Sequence, residues 1–182
     1  MNFLFHFSKI FIPEYMKKRE LMNLFHLTAL AFERTIPPTF GLSFDDCLVV
    51  FARFTKLEVD ELMSRGGDLL TIQDLLYQGA YEFGDKFRKQ FRVSTTSDVM
   101  EASRFLYKIL GIDFKGTEKG TITISKCFFS QHYSPSTCRV ISSLDAGMIA
   151  GLSGGGRLTF SERITEGSTF CNAQFIFKEH IQ

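Results

Sequence analysis

Residues 120–126 read Gly-Thr-Ile-Thr-Ile-Ser-Lys, and the fold class turns on them. Thr121, Ile122, Thr123 and Ile124 alternate polar with apolar, the period of a half-buried strand. Before this stretch the period is helical. Leu21, Leu24, Phe25, Thr28 and Phe32 recur at spacings of three and four. Pro13 and Glu14 suit the first turn of that helix, and Pro37–Pro38 stops it. Ser43 is a candidate cap for a second helix, with Asp45 and Asp46 in its first turn. Cys47, Val50, Phe51 and Phe54 share its apolar face. Gly66–Gly67 breaks the chain, and a third helix is expected over 68–89. Gly79 inside it either costs about 1 kcal/mol relative to Ala or permits a close helix crossing. A fourth helix is expected over 99–110, begun by Ser97 and Asp98 and ended by Gly111.

Beyond the alternating stretch, residues 126–133 are aromatic and run to Pro135. Ser136 or Thr137 is expected to cap a helix reaching Ala150. Gly151 and the run Gly154, Gly155, Gly156 follow it. Residues 157–164 and 170–177 read as strands joined by a turn at Glu166–Gly167. The expected class is therefore α+β: a helical N-terminal half packed with a small antiparallel sheet formed mainly by the C-terminal half. No linker, repeat or low-complexity segment divides the chain, so residues 1–182 are expected to form one domain.

The balance of 21 basic and 20 acidic residues leaves a formal charge of +1. Nucleic acid is therefore not expected as a partner, although Lys86, Arg88, Lys89 and Arg92 interleave with Phe87 and Phe91. Phe supplies 21 residues and Trp none, which points to an apolar core or an aromatic pocket. Residues 1–12 are aromatic and apolar. They lack the basic start and small-residue cleavage site of a signal peptide, and they are too short to span a bilayer. They are expected to be a packing or exchange arm, held on this domain or on a second copy, which makes a homodimer a candidate assembly. The four cysteines form no C-x-x-C pair. Two disulfides are arithmetically open, but reduced thiols in a cytoplasmic protein are the simpler expectation.

Chemistry concentrates late in the chain. In a continuous helix Cys138 and Asp145, seven residues apart, would share a face with Ile141, Leu144 and Met148. An acid on that apolar face needs a partner, and Arg139 and Arg157 are candidates. His132 is a candidate base, or a surface residue of an aromatic loop. Cys127, Glu166, Cys171 and Phe175 are candidate ligand contacts; the alternatives are packed core for the cysteines and Phe175 and a plain turn for Glu166. No G-x-S-x-G, H-E-x-x-H or Walker A pattern occurs.

Residues 127–177 resemble the C-terminal half of the L-2-amino-thiazoline-4-carboxylic acid hydrolase-like family. More distantly they are similar to 4-vinyl-reductase-type ligand-binding domains. The resemblance rests on Cys138, Asp145, the Gly154–Gly156 run, Glu166–Gly167, Cys171, Phe175 and Phe177. It covers about a third of the chain. It implies a pocket for a small organic molecule and hydrolysis at the C=N carbon of a cyclic thiazoline. The resemblance implies attack by a cysteine thiolate or by a held water activated by a carboxylate: Cys138 would be the nucleophile or a metal ligand, Asp145 would orient or deprotonate, and Cys171 would line the same pocket. No cofactor is predicted. Zinc held by Cys127, Cys138, Glu166 and Cys171 is the alternative that the sensory relatives suggest, although the paired spacing of a zinc site is missing. Two other functions stay open: a non-enzymatic binding or sensor domain for a bulky apolar molecule, and a structural or interaction protein.

Overall fold

The computed structural model describes residues 12–178. The expected arm lies outside the described residues except for Ile12, which is buried.

The described chain begins with helices whose ends follow local chemistry. Helix α1 (Glu14–Ala31) starts directly after Pro13. Helix α2 (Phe44–Ser64) is capped by Ser43, whose hydroxyl accepts from the Asp46 amide at 3.1 Å. Helix α3 (Leu69–Phe91) is capped by Asp68, which accepts from the Leu70 and Thr71 amides. It outlasts the expected 68–89 by two residues and ends where Arg92 turns left-handed at φ 53. Helix α4 (Thr96–Ile109) corrects the expected start at Ser97. Thr95 is the cap, and the Asp98 side chain accepts in return from the Thr95 amide at 3.1 Å.

The fold is α+β, with these helices followed by a C-terminal antiparallel sheet. Its strands are β1 (Asp113–Gly116), β2 (Thr121–Lys126), β3 (Gly156–Glu162) and β4 (Cys171–Phe177), in the order β1-β2-β4-β3. In register, Ile122 lies opposite Ala173, Ile124 opposite Cys171, and Leu158 opposite Phe175. Phe114, Ile122, Ile124, Cys171, Ala173 and Phe175 are buried, while Thr121, Gln174 and Ile176 face outward. Strand β1 was not foreseen; among its four residues only Phe114 is buried, too little for a periodicity. The expected strand 157–164 is cut short. Register shifts between Phe160 and Glu162, and residues Ile164–Glu166 form a 3₁₀ turn. Arg163 is thereby released from the ladder.

The expected helix from Ser136 or Thr137 to Ala150 is two helices, α5 (Pro135–Ile141) and α6 (Ser143–Ser153). The cap of α5 is Ser134, whose hydroxyl accepts from the Thr137 amide at 3.1 Å, and Pro135 takes the first turn, where its missing N–H costs nothing. Ser142 separates the two helices at ψ −5, its hydroxyl donating to the Arg139 carbonyl at 3.0 Å. Cys138 and Asp145 therefore do not share one helical face.

Helix α6 is buried against α3 at backbone contact. A Cβ on Gly147 would lie 2.1 Å from the Tyr77 carbonyl oxygen, and one on Gly151 would lie 2.2 Å from that of Tyr81. Gly79, the sequence candidate for close crossing, faces only the Leu27 side chain at 3.5 Å, an ordinary contact. The buried apolar residues of the helices and the sheet form one core, with Phe25, Phe51, Phe114 and Phe175 fully enclosed. Among the described residues no helix is long and apolar enough to cross a membrane.

Candidate functional site

A cavity of about 100 Å³ opens where the helices meet the sheet. Its walls come from α2 (Phe51), α4 (Leu106, Tyr107), β2 (Ile124), the aromatic 3₁₀ turn (Phe129), α5 (Cys138), α6 (Asp145, Met148) and β4 (Cys171). Cys127, Tyr133, Phe160 and Arg163 complete it. Four of the seven residues singled out from the sequence thus meet here: Cys127, Cys138, Asp145 and Cys171. The bend at Ser142 turns α6 so that both Cys138 and Asp145 still reach the cavity.

The other three lie elsewhere. His132 packs its ring against Phe128, with centroids 4.8 Å apart, and does not line the cavity. Glu166 is exposed and accepts from Arg139 Nε at 2.8 Å. Phe175 is fully buried in the core, beside Phe177. The partners suggested for Asp145 are likewise corrected. Arg139 pairs with Glu166, and Arg157 is exposed on β3.

The true partner of Asp145 is Tyr107, whose hydroxyl donates to Oδ1 at 2.7 Å. The Tyr107 ring stacks on Phe114, with centroids 4.7 Å apart, which holds the hydroxyl in place. Burial pushes the Asp145 carboxyl up to about 6, against the opposing pull of the Tyr107 hydrogen bond and the Arg163 charge. Asp145 also sits in the first turn of α6, where the helix dipole favours its charged form. This acid can therefore both give and take a proton near neutral pH.

The cavity thiols differ in their surroundings. Burial pushes Cys127 up to about 12, although it accepts from the Phe129 and Ser130 amides. Burial also pushes Cys171 up; the Ile164 amide donates to its sulfur at 3.3 Å. Both are held as neutral thiols. Cys138 instead accepts from Arg163 Nη1 at 3.8 Å, a cationic donor against its sulfur. Tyr133 donates or accepts with Thr55 at 2.6 Å, and burial pushes its hydroxyl up, so it stays neutral.

Among the described residues, no group of three or more His, Cys, Asp or Glu side chains could hold a metal ion. The zinc set Cys127, Cys138, Glu166 and Cys171 does not assemble: the three thiols form no such group, and Glu166 accepts from Arg139 instead. Two cavity residues that contact Asp145 and Cys138 escaped the sequence reading. Tyr107 lies on a helix 38 positions before Asp145, a contact that no local pattern announces. Arg163 reads as a strand residue, and only past the register shift does it leave the ladder and line the cavity.

A larger open groove of about 790 Å³ runs between α1 and α3 and contains none of the seven candidates. Near its end, Asp85 ion-pairs with both Arg88 and Lys89, so much of the basic cluster is locally compensated. Comparison with protein-family models, with curated proteins and with solved structures found no match for this chain.

Proposed function

We propose that this chain is a small-molecule pocket protein with hydrolase-like chemistry, resembling enzymes that open cyclic thiazolines at carbon–nitrogen bonds. The observation that supports the reading is the meeting of Cys138, Arg163 and the hydrogen-bonded Asp145–Tyr107 pair around one small cavity. The Cys138 sulfur adds to the C=N carbon of the substrate. A carbon–sulfur bond forms, the π pair moves to the ring nitrogen, and the thiol proton travels to that nitrogen through Asp145. The ring carbon–nitrogen bond then breaks: the nitrogen leaves as an amine, taking a second proton from the exocyclic amino group, which becomes the new C=N. Water adds to that carbon and Cys138 departs as the thiol, leaving an open-chain thiocarbamate. Cys127 and Cys171, held neutral, line the pocket without attacking. The cavity volume suits a compact molecule; an engineered apolar cavity of about 150 Å³ holds benzene.

A second reading is a binding or sensor domain on the same pocket. Two of its three thiols are held unreactive, which favours that reading over a multi-thiol enzyme. Four free cysteines fit the reducing cytoplasm, and both that compartment and a homodimer belong to the proposal.

The test is turnover of 2-amino-thiazoline-4-carboxylic acid by the wild type and Cys138→Ala. The expected outcome is hydrolysis by the wild type and a loss of about 10²-fold or more in the variant, with its melting temperature little changed. Equal turnover by both would remove Cys138 from the chemistry. No turnover by either would favour the binding reading.

A further inference from the structure

Arg163 is the single cationic side chain that lines the cavity among the described residues. It sits just past β3, where the ladder has shifted register, and its backbone is extended. Its side chain is only 14% exposed. A guanidinium carries five N–H donors in a planar fork. Among the described residues its only hydrogen-bond acceptor is Cys138 Sγ, at 3.8 Å. Glu166 Oε1 forms a loose ion pair with Nε at 3.8 Å, too far for a hydrogen bond, and is shared with Arg139, from which it accepts at 2.8 Å. No ion pair joins Arg163 to Asp145, although both line the same cavity.

The plane of the fork is nonetheless held. Arg163 Cζ stacks over the Phe160 ring at 4.1 Å from its centroid, and Phe160 lines the cavity too. A largely buried, stacked guanidinium with so few acceptors is a costly arrangement unless something else supplies oxygen atoms. The rest of the cavity wall is mainly apolar, from Phe51, Leu106, Ile124, Phe129 and Met148.

We infer that Arg163 is an anion-recognition residue, and that the cavity takes a compact apolar molecule bearing one carboxylate, bound by the guanidinium fork. This deepens the pocket reading above and rests on it. The carboxylate would engage Arg163 through two parallel N–H···O bonds, and the apolar body would lie toward Met148 and Phe129. The bound molecule would then present its reactive atom beside Cys138, which Arg163 already touches. Arg163 would set specificity by rejecting neutral analogues, which leave its donors unpaired.

The probes are furan-2-carboxylate and its neutral isostere furan-2-carboxamide. Binding is measured by calorimetry and ligand-observed NMR at mildly acidic pH, where the acid is still an anion. The wild type is expected to bind the acid about tenfold or more tighter than the amide, the value of a charge-assisted pair over a neutral one. Arg163→Gln should abolish that preference and leave the amide nearly unaffected. Arg163→Lys, which keeps the charge but loses the fork, should retain part of it. The wild-type comparison needs no variant, so a misfolded Arg163→Gln protein leaves the inference testable. Equal or tighter binding of the amide, or a preference that survives Arg163→Gln in a folded protein, would overturn it. If the amide binds and slows alkylation of Cys138 while the acid does not, the anion inference falls and the pocket stands. If neither probe binds at millimolar concentration, both fall.

Discussion

Gly151→Ala is expected to destabilise the fold by about 3 kcal/mol or more, lowering Tm by roughly 6–12 °C. The added methyl would sit 2.2 Å from the Tyr81 carbonyl oxygen and 2.8 Å from the Asp85 amide nitrogen. Both are backbone atoms inside α3, and neither can swing aside as a side-chain tip could. Relief requires α6 to move bodily off α3. The intrinsic gain of Ala over Gly in a helix, about 1 kcal/mol, is too small to offset this. Gly79→Ala is the matched control on α3. There the new methyl meets only Leu27 carbons at 3.5 and 3.6 Å, so the helix gain is expected to stand alone, at about 0.5–1 kcal/mol of added stability. Thermal and urea unfolding of the two variants measure the contrast. Similar Tm values for both would show that α6 does not pack on α3 at backbone contact. The consequence reaches the site, because α6 carries Asp145 and Met148.

Asp145→Asn is expected to stabilise the protein above pH 6 while removing its proton-transfer group. The Asp145 carboxyl is raised in the fold, from an ordinary 3.8 to about 6. Its folded state therefore holds a proton more tightly than the unfolded chain does. The stability this contributes is fully present below about pH 3.8 and is lost as pH rises through about 6. The loss is on the order of 2–3 kcal/mol by neutral pH, with the opening to the cavity moderating the upper figure. Asn keeps an oxygen acceptor for the Tyr107 hydroxyl and cannot ionise. The variant and the wild type should therefore match below about pH 4 and diverge as pH rises from about 4 to 6, the variant becoming more stable and the gap levelling off above that. Carboxylates such as Asp85, which its Lys89 and Arg88 partners hold below the usual range, give the opposite slope in both proteins and cancel in the difference. Parallel stability curves across that range would mean that Asp145 is not raised. A variant that is both more stable and inactive is the pattern expected of a buried acid kept for function.

Much of the architecture was legible because it follows from short-range patterns. Alternation at Thr121–Ile124 marks β2 and the facing of its side chains, and Ser43 caps the second helix as read. Cys171 falls on the inward parity of β4 with Ala173 and Phe175, whereas Cys127 lies past the end of β2 on the parity opposite to Ile122 and Ile124, so the alternation did not point to it. The failures share a cause too. The Ser142 bend separates two helices without a Gly or Pro to mark it. Cys138 and Asp145 were paired from a helical period that the chain does not follow, and tertiary packing brings them to the same cavity by another route. Tyr107 and Arg163 depend on contacts between distant segments. His132 and Glu166 carry suitable chemistry, but their positions are decided by neighbours, Phe128 for one and Arg139 for the other.

The most direct test is the order in which the four cysteines react with iodoacetamide in the native protein, mapped by peptide mass spectrometry. Cys138 and Cys127 are both partly buried, but only Cys138 has Arg163 against its sulfur; burial holds Cys127 and Cys171 as neutral thiols, and Cys47 is fully buried. Cys138 is expected to be labelled first, by about tenfold or more, and Arg163→Gln to erase much of that lead. Labelling of Cys127 or Cys171 ahead of Cys138, or uniform labelling at the pace of the unfolded chain, would contradict a cavity built around one reactive thiol.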